Sequence, residues 1–323
     1  MIESRHDGPV TQSAPSPPPA PERAELPESA PRTKLVTNVR EAIRALPFYF
    51  ESKTVIEGLD ASDLFSLNAV LGGTIEVQTV NTLNRIRNVW DPDDEWVEYG
   101  FERFTQTFPD VRLVNRRDVT ATPVLGIELK GWYLLAKEKA PSYRYTATRD
   151  ACSKYDLLVV VPWHLAYVLS GAPVVRDPYI EQARYAAEMR NYYWQHQRGV
   201  TTGTGIISPP NVHPYPSPKT HTSDKPERDS GGNFGRVARV HGLMNDFIAA
   251  ALNTPISGIE ARHWIDFFKV FTDASDPYQI EANMKRLLAR QGVDVDVMRA
   301  EVIVEHVRAV HSALSGELQP GAE

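Results

Sequence analysis

The sequence predicts an α/β protein built on a mixed β-sheet flanked by helices, with a helical C-terminal region. Two apolar runs of strand length carry this reading, Val124 to Leu135 and the β-branched Asp156 to Val161. The second is continuous, as in a strand buried on both faces of a helix-covered sheet. Helical periodicity before and after these runs supplies the layers. The chain has 323 residues, 42% of them hydrophobic and 24% charged, a soluble globular composition with enough length for a large core. Its 35 Lys+Arg against 41 Asp+Glu leave a charge of −6. That argues against coating nucleic acid by charge alone, but leaves room for a local basic groove.

Taken in order, residues 1–33 are rich in Pro, Ser, Ala and Glu and poor in large apolar side chains, so a disordered tail is expected. Leu35, Val39, Ala42, Ile43 and Leu46 recur at helical spacing and stop before Pro47. Leu59 to Asn88 is a longer helical pattern with Gly72-Gly73 as its weak point. Val111 to Val114, a turn-rich stretch from Asn115 to Pro123, and the strand from Val124 form a predicted hairpin. A helix is expected from Pro178 to Arg198 with Asp177 as its N-cap. Residues 199–235, rich in Pro and Gly and without periodicity, read as a long loop, either functional or disordered. The core would therefore span 34–236. Helices near 237–252, 258–272, 277–291 and 295–315 would make a C-terminal region over 237–317, with 318–323 a loose end.

The single cysteine, Cys152, excludes an intrachain disulfide and a cysteine-rich zinc site. No apolar run reaches the roughly 20 residues of a membrane span, and the first residues lack a secretory apolar segment, so a cytoplasmic protein with no membrane partner is expected. No His-Glu-x-x-His, Gly-x-Ser-x-Gly or Walker motif occurs.

The chemistry concentrates in the hairpin. Glu128 and Lys130 are alternate residues of an apolar strand and point to one face. Charges at such positions are unfavourable by several kcal/mol unless paired or holding a metal, an order of magnitude set by desolvation. With the hairpin centred near Thr120, Asp110 lies opposite Lys130 and Arg112 opposite Glu128, so Asp110 joins them on that face. Two carboxylates and a lysine suit phosphodiester hydrolysis. Asp110 and Glu128 would bind Mg²⁺, the backbone carbonyl of Leu129 would complete the shell, and Lys130 would orient water and offset developing charge.

Pro109-Asp110 followed by Glu128-Leu129-Lys130 resembles the PD-(D/E)xK nuclease superfamily. The Gly-Ile-Glu-Leu-Lys-Gly-Trp-Tyr context, with the strand from Asp156 to Trp163, looks like its type II restriction endonucleases. The resemblance covers roughly residues 55–240. It implies a restriction-endonuclease-like core, magnesium as cofactor and double-stranded DNA as substrate. Repair, recombination and modification-dependent nucleases of the same superfamily, or a catalytically silent DNA-binding protein, are the alternatives. A carboxylate from the helix before the hairpin often joins such sites, which singles out Glu76. Asp118 is the rival first carboxylate, but would lie opposite Thr122, about 20 Å along the strand from Glu128.

Weaker signals concern DNA. Arg184, Asn191, Gln195 and Arg198 fall on one stripe of the expected helix and have side chains suited to base edges. Lys219, Lys225, Arg228, Arg236 and Arg239 accompany Gly231, Gly232 and Gly235 in and after the long loop, where backbone amides and arginines could clamp phosphate. Lys137, Lys139, Arg144 and Arg149 follow the catalytic strand and read first as solvated charges. Tyr192, Tyr193 and Trp194 cannot all be buried by one helix face, which points to core packing or to a homodimer interface. A two-fold dimer is also the simplest way to cut both strands of a duplex.

Overall fold

The structure, a computed structural model, describes residues 17–60, 63–104, 106–118, 120–270, 277–290 and the single positions 305 and 309. The first helix, α1 (Pro31–Arg44), buries Leu35, Val36, Val39, Ala42 and Ile43, the stripe its spacing predicts, and ends in the one-turn α2 (Leu46–Tyr49). The long α3 (Leu67–Arg85) runs unbroken through Gly72-Gly73 and is followed by one-turn α4 (Arg87–Trp90). A Cβ at Gly72 would meet only Asn68 Oδ1, at 4.0 Å, and one at Gly73 nothing within 4 Å, so the close approach of helix and sheet is set from the strand side. A Cβ on Gly131 of the facing strand would lie 3.4 Å from the Gly72 carbonyl oxygen. Gly131 thus permits a close strand–helix approach, and the packing of α3 on the sheet offsets the helix-propensity cost of about 1 kcal/mol per glycine.

Six strands form one mixed sheet: β1 (Tyr99–Arg103), β2 (Val111–Asn115), β3 (Leu125–Tyr133), β4 (Leu157–Tyr167), β5 (Ser170–Val175) and β6 (Tyr179–Gln182). The order is β1-β2-β3-β4-β5, with β6 pairing the first half of β4 and β5 the second half. Only β3 and β4 are parallel. Alternate residues of β4 enter separate cores. Leu157, Val159, Val161 and Trp163 join α1 and α3 on one face; Leu158 and Val160 join α5 (Ala183–Tyr192) on the other. This two-sided burial is what the continuous apolar run predicted.

Several expectations change. The helix expected from Pro178 begins only at Ala183, because Tyr179–Gln182 form β6, antiparallel to β4; Asp177 is not an N-cap. Past Tyr192 the chain continues as a π-helical turn, Tyr193–Gln197. Residues 17–30, expected as disordered tail, run alongside β6. Ala24 exchanges two 2.8 Å hydrogen bonds with the Gln182 side-chain amide, and Arg23 pairs with Glu181 at 2.8 Å while lying over the Tyr185 ring. Composition misses this segment because polar contacts rather than apolar burial hold it. Residues 31–33 of the expected tail open α1, and residues 1–16 lie outside the described residues.

The long loop is also ordered, with a short pair β7 (Ile206–Ile207) and β8 (Lys225–Pro226). Its anchor is the buried ion pair of Arg190, on α5, with Asp224; Arg190 also donates to the Tyr145 and Ala147 carbonyls at 2.8 and 2.9 Å. The C-terminal region contains α6 (Asn245–Leu252), α7 (Ala261–Phe268) and α8 (Pro277–Arg290). The helix expected at 295–315 and the end at 318–323 fall outside the described residues, apart from the two single positions. No helix among the described residues is long and apolar enough to cross a membrane.

Candidate active site

The hairpin register places the site. Val111 pairs with Ile127, Arg112 with Gly126 and Leu113 with Leu125. Continuing this register puts Asp110 opposite Glu128, and not opposite Lys130 as the sequence reading had it. The slip is two residues on the partner strand, so side-chain faces are preserved and Asp110, Glu128 and Lys130 still share one. Arg112, expected opposite Glu128, faces Gly126 instead. Its guanidinium donates to the Phe108 carbonyl at 2.9 Å and lies over the Phe104 ring, supporting the backbone just before Pro109-Asp110.

Beyond Ile127, β3 is paired only to β4, so its other edge is open where the charged residues stand. The Lys130 ammonium bridges the two carboxylates, donating to Asp110 Oδ2 and to Glu128 Oε1, the latter at 3.0 Å. Glu128 Oε2 accepts the Asp110 backbone N–H at 3.3 Å. Burial pushes the Glu128 carboxyl up to about 7, with the Asp110 charge adding to it and Lys130 opposing. Burial also pushes Lys130 down, but the charges and hydrogen bonds of Glu128 and Asp110 outweigh it and hold the ammonium well above its ordinary value. The two directions are compatible: one ammonium faces two carboxylates, and Glu128 is the more deeply buried of the pair. Tyr143 and Tyr145, raised by burial, leave the flank of Glu128 without a further charge.

Glu76 comes to the same edge from α3. Its carboxyl is raised by burial and feels both Lys130 and Asp110, and it pairs with Arg103, at the end of β1, at 3.2 Å. Asp118 does not take part. It is exposed in the turn and binds the Thr120 backbone N–H at 3.0 Å and its hydroxyl at 2.6 Å. Among the described residues no three His, Cys, Asp or Glu side chains are gathered closely enough to cage a metal ion. The donor set nonetheless fits a hard cation. Mg²⁺ is held by one or two carboxylates and keeps several waters, and Asp110, Glu128 and the Leu129 carbonyl offer only oxygen.

One support escaped the sequence reading. Asp156, fully buried before β4, accepts hydrogen bonds from Gly126 N at 2.7 Å, Ser153 N at 2.7 Å and the Tyr215 hydroxyl at 2.9 Å. It thereby joins β3 to the long loop; the only sign of it in the sequence is a lone acid opening an apolar run. Burial pushes its carboxyl up to about 6.

The stripe Arg184, Asn191, Gln195 and Arg198 is not a free face. Asn191 donates to Asp224 at 2.9 Å, and Arg198 folds onto the Trp194 ring and donates to its carbonyl. Arg184 lies 3.6 Å from Glu188, and Gln195 lines a cavity with Pro18 and Pro21. The π-helical turn breaks the spacing on which the stripe depended. The three aromatics likewise find partners within the chain: Trp194 packs on Phe234, Tyr193 on His241, and the Tyr192 hydroxyl donates to the Pro18 carbonyl. Among the loop cations, Arg236 donates to the Gly232 carbonyl and Arg239 to the Asn233 side chain. Arg228 packs over Gly203, Lys225 is exposed in β8, and Lys219 is exposed between Pro218 and Thr220. No known protein family, curated protein or solved structure matches this chain.

Proposed function

We propose that this protein is a Mg²⁺-dependent endonuclease that hydrolyses phosphodiester bonds of double-stranded DNA, with a restriction-endonuclease-like core and a type II restriction role. One observation carries the reading: Asp110, Glu128 and Lys130 meet at an open strand edge, in the order and spacing of the PD-(D/E)xK pattern. Asp110, Glu128 and the Leu129 carbonyl are the metal donors, with Glu76 a further carboxylate beside them. A cation held there would supply positive charge at the scissile phosphate and acidify water. The chain supplies the rest. Lys130, held charged, donates hydrogen bonds to the attacking water or to a phosphoryl oxygen and offsets the negative charge that grows as water adds and a P–O ester bond breaks. Its role in this reading is electrostatic and orienting.

Incubation of plasmid and phage DNA with purified protein and Mg²⁺ or Mn²⁺ tests this. Cleavage is expected, and Glu128→Ala should abolish it while leaving DNA binding intact; an inactive wild type over a broad sequence set refutes the proposal. Sequencing the ends separates the variants of the reading, since a fixed sequence means restriction and junctions, lesions or methylated sites mean repair or modification dependence. One site per chain favours a two-fold homodimer for double-strand cutting. Sedimentation showing a monomer both free and on DNA would remove that part.

A further inference from the structure

Beside the carboxylates lies a cleft of about 190 Å³ lined by Glu128 and Arg144, with Thr107, Thr220, Thr222 and Ser223 among its walls. It is smaller than the roughly 300 Å³ at which pockets for drug-sized molecules begin, and hydroxyls replace the apolar lining such molecules need. Arg144 differs from the other arginines around it. Arg112 and Arg190 are buried and engaged with carbonyls or a carboxylate. Arg144 is exposed and has no ion pair or hydrogen bond among the described residues. The fold makes room for it: Gly232, at φ +63°, lies where a Cβ would come within 1.7 Å of Arg144 Nη2. Any other residue there would displace the guanidinium. Two of the hydroxyl pairs, Thr146 with Ser223 at 3.0 Å and Ser217 with Thr220 at 3.3 Å, hold the walls in place. The loop wall is itself fixed to the strand side by the Ala147–Ser223 bridge.

An unpaired guanidinium and a row of hydroxyls are the groups that bind phosphate oxygens. We infer that this cleft holds the phosphodiester backbone of the nucleic acid next to the bond being cut, with Arg144 as the phosphate ligand; the inference rests on the nuclease reading of Asp110, Glu128 and Lys130. The anion belongs with Arg144, because the Glu128 carboxylate repels it. Exposed Lys219, between the rim residues Pro218 and Thr220, adds positive charge there.

The test is duplex binding by fluorescence anisotropy without divalent cation, over a range of salt, paired with cleavage in Mg²⁺. Arg144→Gln is expected to weaken binding on the order of tenfold and to lower the slope of log K against log salt by about 1, as for one lost phosphate contact. Arg144→Lys should keep the slope. Unchanged affinity and slope in Arg144→Gln, with the fold intact by circular dichroism, overturns the inference and leaves cleavage by the three-residue site standing. A lowered slope in a protein that never cuts keeps the subsite and removes the nuclease reading. Inorganic phosphate that displaces duplex from wild type but not from Arg144→Gln, at matched ionic strength, supports the inference, since competition requires duplex phosphate at Arg144; phosphate that binds wild type but not Arg144→Gln and leaves duplex affinity unchanged assigns the cleft to free phosphate and overturns it. A wild type that binds no duplex overturns both.

Discussion

Lys130 stands between two carboxylates, and its charge decides what it can do. Held as an ammonium by Glu128 and Asp110, it neutralises the pair and keeps two acidic side chains together on a largely buried strand. Lys130→Ala should therefore leave DNA binding within a few-fold and reduce single-turnover cleavage by at least about 10²-fold, the scale of removing one positioned electrostatic group. Near wild-type cleavage by that variant would assign Lys130 a structural role only. The same experiment separates the acids. Asp110→Ala should be inactive, whereas Asp118→Ala should be fully active, since Asp118 does no more than cap its own turn. Activity in the first and loss in the second would move the metal ligand to Asp118.

At the scale of elements, the β2–β3 hairpin and α3 bring residues from three places to one edge. Gly126 is the tightest point of that arrangement. A Cβ there would lie 2.4 Å from Pro109 Cγ and 2.9 Å from Asp156 Oδ1, both groups that position the first carboxylate or the strand beneath it. Gly126→Ala must displace one of them. A loss of about 1–3 kcal/mol in urea unfolding is expected, the usual range for overpacking, together with reduced cleavage. Unchanged stability and rate would mean that Pro109 moves aside freely and does not fix Asp110. The hairpin itself was legible in the sequence, down to the shared face of Asp110, Glu128 and Lys130. The register was not, because a turn-rich stretch does not fix where pairing begins, and period-2 alternation is blind to a slip of two residues. The α5 stripe failed for a related reason: a helical projection assumes one period throughout, and the π-helical turn changes it.

At the scale of the whole molecule, one buried ion pair fastens the long loop and with it the wall of the cleft. Asp224→Ala would leave Arg190 buried without its counter-charge, which typically destabilises by about 3–5 kcal/mol. Thermal unfolding should show a correspondingly large fall, and the variant should lose protection of residues 217–223 from hydrogen exchange; neither change would mean the loop is held elsewhere. Acid stability also depends on buried groups outside the Asp110, Glu128 and Lys130 cluster. Burial holds His164 down to about 4, and it is neutral with its Nε2 accepting from Arg176 at 2.8 Å. The unfolded imidazole takes up a proton near pH 6.5. The stability from neutral His164 is thus complete above pH 6.5 and is lost as pH falls towards 4. Asp156 has the opposite sign, since its raised carboxyl favours the folded state below about pH 4 and that contribution is lost as pH rises through 6. The two slopes oppose each other between pH 4 and 6. Removing one exposes the other: between pH 7 and 4.5, His164→Gln should retain on the order of 2–3 kcal/mol more of its unfolding free energy than wild type does. Equal losses in urea titrations of the two proteins would exclude this role.

By itself the sequence determined the α/β class, the strand buried on both faces, the helix stripe of α1 and the three residues of the candidate site. Periodicity and apolar runs encode these locally, and a charged pair on an apolar strand is conspicuous in one dimension. Only the tertiary structure decided the register, the arrival of Glu76 at the open edge, the ordering of residues 17–33 and of the long loop, and the separation of Arg144 from the engaged arginines. Each of these depends on partners tens to more than a hundred residues away, joined by hydrogen bonds, ion pairs and close approaches at glycine that leave no period in the sequence.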